Sequence, residues 1–281
     1  MAATIVQSIQ ITKVKNDHQQ VQPDLVTGEE PLEIRVVHGA GEERKQVSLA
    51  VVMRSPGQDY ELATGFLFTE GIITAFSQVK EIRYCSEPQR PEEVQNIVLV
   101  SLSEEVSLAE KSLQRHFYTT SSCGVCGKSS IEALEFSTCR SINRREGWIS
   151  SQLIGDLPEK LREKQAVFKH TGGLHGCAVS TSEGELSYIR EDVGRHNALD
   201  KLIGAMLTAD ASYQDSILIL SGRVSFEMVQ KAAMAGFPVI VAVGAPTSLA
   251  VKTAENQGIC LIGFCKKTSF NIYTYPNTLI Q

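Results

Sequence analysis

The chain reads as an α/β protein, α+β overall, with a C-terminal three-layer sandwich and a smaller, β-rich N-terminal part. Three observations carry that expectation. From residue 166 onward, short continuous apolar runs alternate with helix-period segments, the pattern of strands covered on both faces by helices. Before residue 105 the pattern is mostly strand-like, with a single helix. Between the two lies a polar stretch rich in Ser and Gly that contains a Cys-x-x-Cys pair.

Residues 32–37 and 46–52 are β-like, and Pro56-Gly57 punctuates the chain before a helix over 59–69. That helix places Leu62, Phe66 and Leu67 on one face and stops at Gly71. Residues 97–101 form another apolar strand, followed by an amphipathic stretch over 104–114. Within the polar region a short helix is expected over 130–136 and a longer one over 150–164. Residues 177–180 and 186–190 flank Ser182-Glu-Gly184 as a hairpin. A helix over 195–207 repeats apolar residues at Ala198, Leu199, Leu202, Ile203 and Met206. A buried strand (216–220), a helix (226–235), a buried strand (238–243) and a helix (248–256) follow, with strands over 259–264 and 271–275. These elements divide the chain into an N-terminal domain (1–118), a Cys-x-x-Cys loop with connecting helices (119–165) and an α/β domain (166–281). The last two are expected to form one unit.

At 281 residues the chain can bury a core without disulfide staples. Seven unevenly spaced cysteines do not form a secreted disulfide framework. A net charge of −5 argues against a general nucleic-acid binder. The first residues lack a basic segment followed by an apolar one, and no apolar run approaches a membrane span. A soluble, cytoplasmic protein is expected, with neither nucleic acid nor membrane as partner.

Chemistry concentrates in two places. In Ser122-Cys-Gly-Val-Cys-Gly127 the thiols Cys123 and Cys126 lie within a stretch from Lys111 to Ile131 that holds no acid but includes Arg115, His116 and Lys128. Positive surroundings favour the thiolate, which is both nucleophile and metal ligand. The second place is the set of loops at strand ends, where ligands of α/β sheets bind. These are Thr171-Gly-Gly-Leu-His-Gly-Cys177, Arg190-Glu-Asp-Val-Gly-Arg-His-Asn197, Ser221-Gly-Arg-Val-Ser225 and Gly244-Ala-Pro-Thr-Ser248. Helix starts of this kind turn N–H groups and a positive dipole end toward an anion. Arg195 and Arg223 add bidentate phosphate contacts, and His175, His196 and Ser221 complete the candidate set. The competing reading is plain: Ser and Thr are ordinary N-caps, and His175 and His196 are structural histidines.

Taken together, Ser122-Cys-Gly-Val-Cys-Gly127, Thr171-Gly-Gly-Leu-His175, Glu191-Asp-Val-Gly-Arg-His-Asn-Ala-Leu-Asp-Lys201, Ser221-Gly-Arg223 and Gly65-Phe-Leu-Phe-Thr-Glu-Gly-Ile72 resemble the formate dehydrogenase accessory sulfurtransferase family, FdhD. The resemblance spans about residues 30 to 275. It implies a cytidine-deaminase-like fold in the C-terminal part. It also implies a sulfur carrier that takes persulfide sulfur from a cysteine desulfurase. The sulfur passes to the molybdenum or tungsten bis(molybdopterin guanine dinucleotide) cofactor of formate dehydrogenase, the carrier holding no tightly bound metal of its own and acting as a homodimer. The persulfide is placed on Cys123, with Cys126 accessory. Cofactor contact is placed on the segment Phe264, Cys265, Lys266, Lys267, Thr268 and Ser269, where Cys265-Lys-Lys267 stands in place of an expected Arg-bearing stretch.

Other chemistries fit less of the chain. A zinc deaminase uses His-x-Glu followed by Pro-Cys-x-x-Cys, whereas His175-Gly176-Cys177 lacks the Glu and follows the Cys pair. A structural zinc site needs two further ligands. Cys260 and Cys265 are the candidates, but their odd spacing on one strand is expected to place them on opposite faces. A thioredoxin-like redox pair would follow an apolar strand, and Gln114-Arg-His-Phe-Tyr-Thr-Thr120 is not one. The alternative that stays open is a zinc- or redox-binding Cys-x-x-Cys protein with a nucleotide-binding α/β domain.

Overall fold

The structure, a computed structural model, describes residues 4–86, 94–106, 108, 142 and 145–280. The pair Cys123 and Cys126, the helix expected over 130–136 and most of the stretch 104–114 lie outside these residues.

Strands β1 (Val6–Lys15) and β2 (His18–Thr27) form a two-stranded antiparallel hairpin that belongs to neither larger sheet. Its turn, Asn16-Asp17, has φ of 49° and 64°, the two positive values that a two-residue I′ hairpin turn demands. Strands β3 (Glu30–His38), β4 (Lys45–Arg54), β5 (Val79–Tyr84) and β6 (Ile97–Leu102) make a four-stranded sheet in the order β4-β3-β6-β5. Helix α1 (Asp59–Thr69) covers it, packing Leu62, Leu67 and Phe68 into one apolar cluster with Leu32, Ile34, Val98 and Val100.

The C-terminal part is a six-stranded sheet in the order β12-β11-β10-β9-β7-β8. Its strands are β7 (His175–Ser180), β8 (Leu186–Asp192), β9 (Ile217–Leu220), β10 (Val239–Ala242), β11 (Cys260–Lys266) and β12 (Ser269–Ile272). Strands β9, β10 and β11 run parallel, and β7 and β12 pair antiparallel with their neighbours. Helix α2 (Ser151–Lys164) covers one face, with Ile154, Leu157 and Leu161 against Ile217, Ile219, Val239 and Ile262. The other face carries helices α4 (Arg195–Thr208), α5 (Phe226–Ala235) and α6 (Ser248–Gln257), and a one-turn helix, α3 (Phe168–Thr171), precedes β7. This is the expected three-layer sandwich, with helices where the 3.6-residue periodicity placed them.

The two parts share a core. Ala198, Leu199, Leu202 and Ile203 of α4 belong to the same cluster as the α1 and β3 residues above. The helices cross at Gly65 and Gly204: a Cβ at Gly65 would collide with the Asp200 carbonyl, and one at Gly204 with the Glu61 carbonyl. Only glycine allows backbones this close.

One strand departs from the expected regularity. Phe264 has φ +50° within β11, and the β11–β12 register shifts between Gly263 and Lys266. The extra residue turns the later part of the strand over. Cys260 and Cys265 therefore lie on the same face, in the cluster beneath α2, and not on opposite faces as strict alternation implied. Burial pushes both thiols up to about 11, so both are protonated at neutral pH.

Candidate functional site

One edge of the six-stranded sheet collects most of the expected site. The start of β7 and the ends of β8, β9 and β10 meet there because β7 runs antiparallel to β9 while β10 and β11 run parallel to it. A pocket at that edge is lined by His175, Gly176, Cys177, Arg195, Ser221, Gly222 and Arg223. Paired bonds join the loops: Gly176 N–H donates to the Ser221 hydroxyl (2.8 Å), and Ser221 N–H to the Gly176 carbonyl (2.9 Å). Gly244 N–H donates to the Gly222 carbonyl at 3.2 Å, and Phe264 N–H to the Gly244 carbonyl at 3.1 Å.

The Asp192-to-Lys201 segment divides its labour. Asp192 is fully buried and pairs with buried Lys201 at 2.6 Å. It also accepts from Ser55 N–H (3.2 Å), Gly194 N–H (2.9 Å) and the Asn197 amide (3.0 Å). Lys201 reaches the Ser55 carbonyl (2.9 Å), and Asn197 the Met53 carbonyl (2.7 Å). Glu191 accepts from Val167 and Phe168 N–H at 3.0 and 2.9 Å, fixing the turn that leads into the Thr171-Gly-Gly-Leu-His175 loop. Asp200 pairs with Lys231 at 2.9 Å and accepts from the Thr69 hydroxyl. These groups build a scaffold, and they leave Arg195 and His196 at its edge.

The pocket is electropositive. Among the described residues Arg195 and Arg223 make no ion pair and no hydrogen bond through their side chains, and Arg195 Nε is buried without a partner. Burial, then the charges of Arg195, His196 and Arg223, press the His175 imidazole below its ordinary value, with Asp192 opposing. Helix α4 begins at Gly194 without a side-chain cap, so its first N–H groups face the same edge. Helix α5 begins at Ser225, whose hydroxyl donates to Glu227 (3.1 Å) and does not accept from a helix N–H. Helix α6 is the ordinary case, with Thr247 accepting from Ala250 N–H.

The remaining candidates are placed as follows. His196 Nε2 lies 3.1 Å from Glu227 Oε2. Phe264 is 48% exposed beside the Gly244 loop. Cys265 is buried, its thiol donating to the Ile154 carbonyl at 3.3 Å, so its side chain faces α2 and not the pocket. Lys266, Lys267, Thr268 and Ser269 are exposed at the β11–β12 turn, with Lys267 3.6 Å from Glu159 of α2. Cys177 closes the back of the pocket; burial pushes its thiol far up, and it donates to the Ala198 carbonyl at 3.0 Å. Glu227 is a group the sequence did not single out. In Ser225-Phe-Glu227 an acid in the first turn of a helix reads as ordinary dipole compensation.

Comparisons with known proteins bear on the family and the fold. Two relatives bear the name sulfur carrier protein FdhD. That from Streptomyces coelicolor is 42% identical over 266 residues, covering 94% of this chain and 92% of its own. That from Sulfurisphaera tokodaii is 41% identical over 276 residues, covering 98% and 99%. A crystal structure from Desulfotalea psychrophila, described as a candidate formate dehydrogenase accessory protein, has the same fold. It superposes with a TM-score of 0.73 at 23% identity, over 98% of this chain and 99% of that one. The sequence profile of the FdhD/NarQ family matches residues 28–280, and the chain belongs to that family.

Proposed function

We propose that this protein is a cytoplasmic sulfur carrier for the maturation of formate dehydrogenase. It accepts persulfide sulfur from a cysteine desulfurase on Cys123, with Cys126 accessory. It delivers that sulfur to the bis(molybdopterin guanine dinucleotide) cofactor of molybdenum or tungsten, acting as a homodimer. The observation that carries this reading is the Cys123-Gly-Val-Cys126 pair, set in an acid-free basic stretch of a chain so similar to proteins named sulfur carriers. A thiolate there can take sulfane sulfur reversibly, and a second thiol three residues on can resolve it as a disulfide, releasing sulfide.

The pocket supports the delivery half of the proposal. Its two arginines, the uncapped start of α4 and the Ser221 hydroxyl suit a phosphate or pyrophosphate group of a dinucleotide. Phe264, exposed next to the Gly244 loop, offers a ring for a base, and Lys266 and Lys267 add charge beyond it. Cys177 and Cys265 are poor carriers, since burial keeps both protonated.

Intact mass spectrometry after incubation with a cysteine desulfurase and cysteine tests the carrier. Sulfur adds in single-atom steps, removable by reductant, to the peptide bearing Cys123 and Cys126. Cys123→Ala abolishes delivery. Sulfur mapping to Cys177 or Cys265 instead sinks the assignment.

A further inference from the structure

The start of α4 is held from outside its own segment, by three consecutive residues at the end of β4. Met53 offers its carbonyl to the Asn197 amide at 2.7 Å. Arg54 is fully buried, and Asp59 grips its guanidinium through two bonds of 3.0 and 2.9 Å. The Gln95 carbonyl and the Asn96 side-chain oxygen accept from the same group at 3.1 and 3.0 Å. That clamp fixes the chain where it enters Ser55, which is also fully buried. Each polar group of Ser55 is then spent on the segment 192–201. Its N–H donates to Asp192 Oδ2 (3.2 Å), its carbonyl accepts from Lys201 Nζ (2.9 Å), and its hydroxyl accepts from Val193 N–H (3.1 Å).

The hydroxyl bond is the one that bears on the pocket. Of the N–H groups leading into α4, that of Val193 goes to Ser55 and that of Gly194 to Asp192 Oδ1 (2.9 Å). The helix then opens with Arg195, whose Nε is a buried donor without a partner and whose side chain lines the pocket with Ser221 and Arg223. Gly194 supplies no side-chain cap, so the first turn takes its place from these neighbouring bonds. We infer that Ser55 is a positioning residue of the pocket: its hydroxyl, by holding Val193 N–H, fixes where α4 begins. It thereby keeps Arg195 and the first free N–H groups of α4 in place for a phosphate group. Ser55 touches no ligand; it acts through Val193 and Arg195. Donors held in place before a ligand arrives spare the binding step an ordering cost. The inference rests on reading the pocket as the phosphate site of the cofactor.

Ser55→Ala removes this one bond, because both backbone bonds of Ser55 remain. Calorimetric titration of the full chain with inorganic pyrophosphate tests it. The variant binds about three- to tenfold more weakly, the worth of one hydrogen bond. Amide exchange read by mass spectrometry quickens in the peptide spanning 193–198. Asn197→Ala frees the same helix start from Met53 and Asp192 and weakens binding in the same sense. The double variant loses less than the sum of the two, since both ties hold one turn. Should Ser55→Ala melt early, Asn197→Ala alone decides. Ser150→Ala is the control: Ser150 accepts from Leu153 N–H (3.2 Å) at the start of α2, away from the pocket lining. It lowers the melting temperature and leaves pyrophosphate affinity within about twofold of the parent. Unchanged affinity or unchanged exchange in Ser55→Ala, additive losses in the double variant, or an equal loss in Ser150→Ala overturns the positioning role and leaves the pocket assignment intact. Failure of the unmodified protein to bind pyrophosphate overturns the pocket reading and this inference together.

Discussion

His175 occupies an unusual position for a titrating residue, pressed toward its neutral form by burial and by three neighbouring cationic groups. Its folded pKa lies below its ordinary value of 6.5. Between the folded value and 6.5 the unfolded chain binds more protons than the folded one, so stability rises with pH through that window and falls on acidification. Urea midpoints recorded from pH 7 downward should drop below pH 6.5, and His175→Gln should flatten that drop. An unchanged slope in the variant would assign the acid sensitivity elsewhere. Saturating pyrophosphate should diminish the same drop in the parent protein, because a bound anion offsets the charges of Arg195 and Arg223 that press on the ring. At this scale Asp192 and Lys201 matter in the opposite sense. They are a buried pair whose members are each other's solvation, and losing one partner of such a pair costs about 3–5 kcal/mol.

Among the elements, the α1–α4 crossing makes the sharpest demand on side-chain size. Gly204→Ala forces a methyl onto the Glu61 carbonyl, and neither backbone can withdraw without moving its sheet. The expected loss is at least about 1–3 kcal/mol, the range for overpacking, read as a lower melting temperature. Gly184→Ala is a poor comparison because its φ is positive; Gly28 and Gly155 also face backbone carbonyls, so the useful control is Ala205→Gly on the same helix. A Gly204→Ala melt matching that of the unmodified protein would mean the helices sit further apart than described. The sequence made α1 and α4 legible through their apolar spacing, and glycines in both carried no hint of the crossing, because a contact between segments so distant in sequence leaves no local pattern. Strand β1 and strand β2 were missed for a related reason. Val6, Val14, Val21 and Leu25 fall on one face of the hairpin and Ile9, Ile11 and Val26 on the other, so the alternation that marks a half-buried strand is diluted. The Asn16-Asp17 turn was the readable signal. The bulge at Phe264 was hard to read because the residue with positive φ is a Phe, with Gly263 before it as the one local hint. The site loops were legible because Gly, Ser, Arg and His gather at strand ends, whereas Glu227 was hidden in a commonplace helix start.

At the scale of the whole molecule, the segments before and after the Cys-x-x-Cys stretch are joined by polar as well as apolar contacts. Arg190 holds Glu61 through two bonds of 2.5 and 2.8 Å. Thr69 and Lys231 share Asp200, and Ser55 bonds both Lys201 and the chain at Val193. Removing the N-terminal segment would take Glu61 from Arg190 and Ser55 from Asp192, Lys201 and Val193. The apolar cluster that includes Leu62 and Leu67 of α1 together with Leu199 and Leu202 of α4 would be opened along its length. The protein should therefore unfold in one calorimetric transition, with calorimetric and van't Hoff enthalpies in agreement. A fragment beginning at residue 145 should keep helical far-ultraviolet signal yet lose its near-ultraviolet signal and bind a hydrophobic dye, since its sheet would lack the α1 cover. The pocket should fail with it, because Asp192, which sets the start of α4, takes one of its bonds from Ser55 and Asn197 takes one of its own from Met53. Two resolved transitions, or a well-packed fragment that still binds pyrophosphate, would show instead that the C-terminal sandwich holds its site unaided.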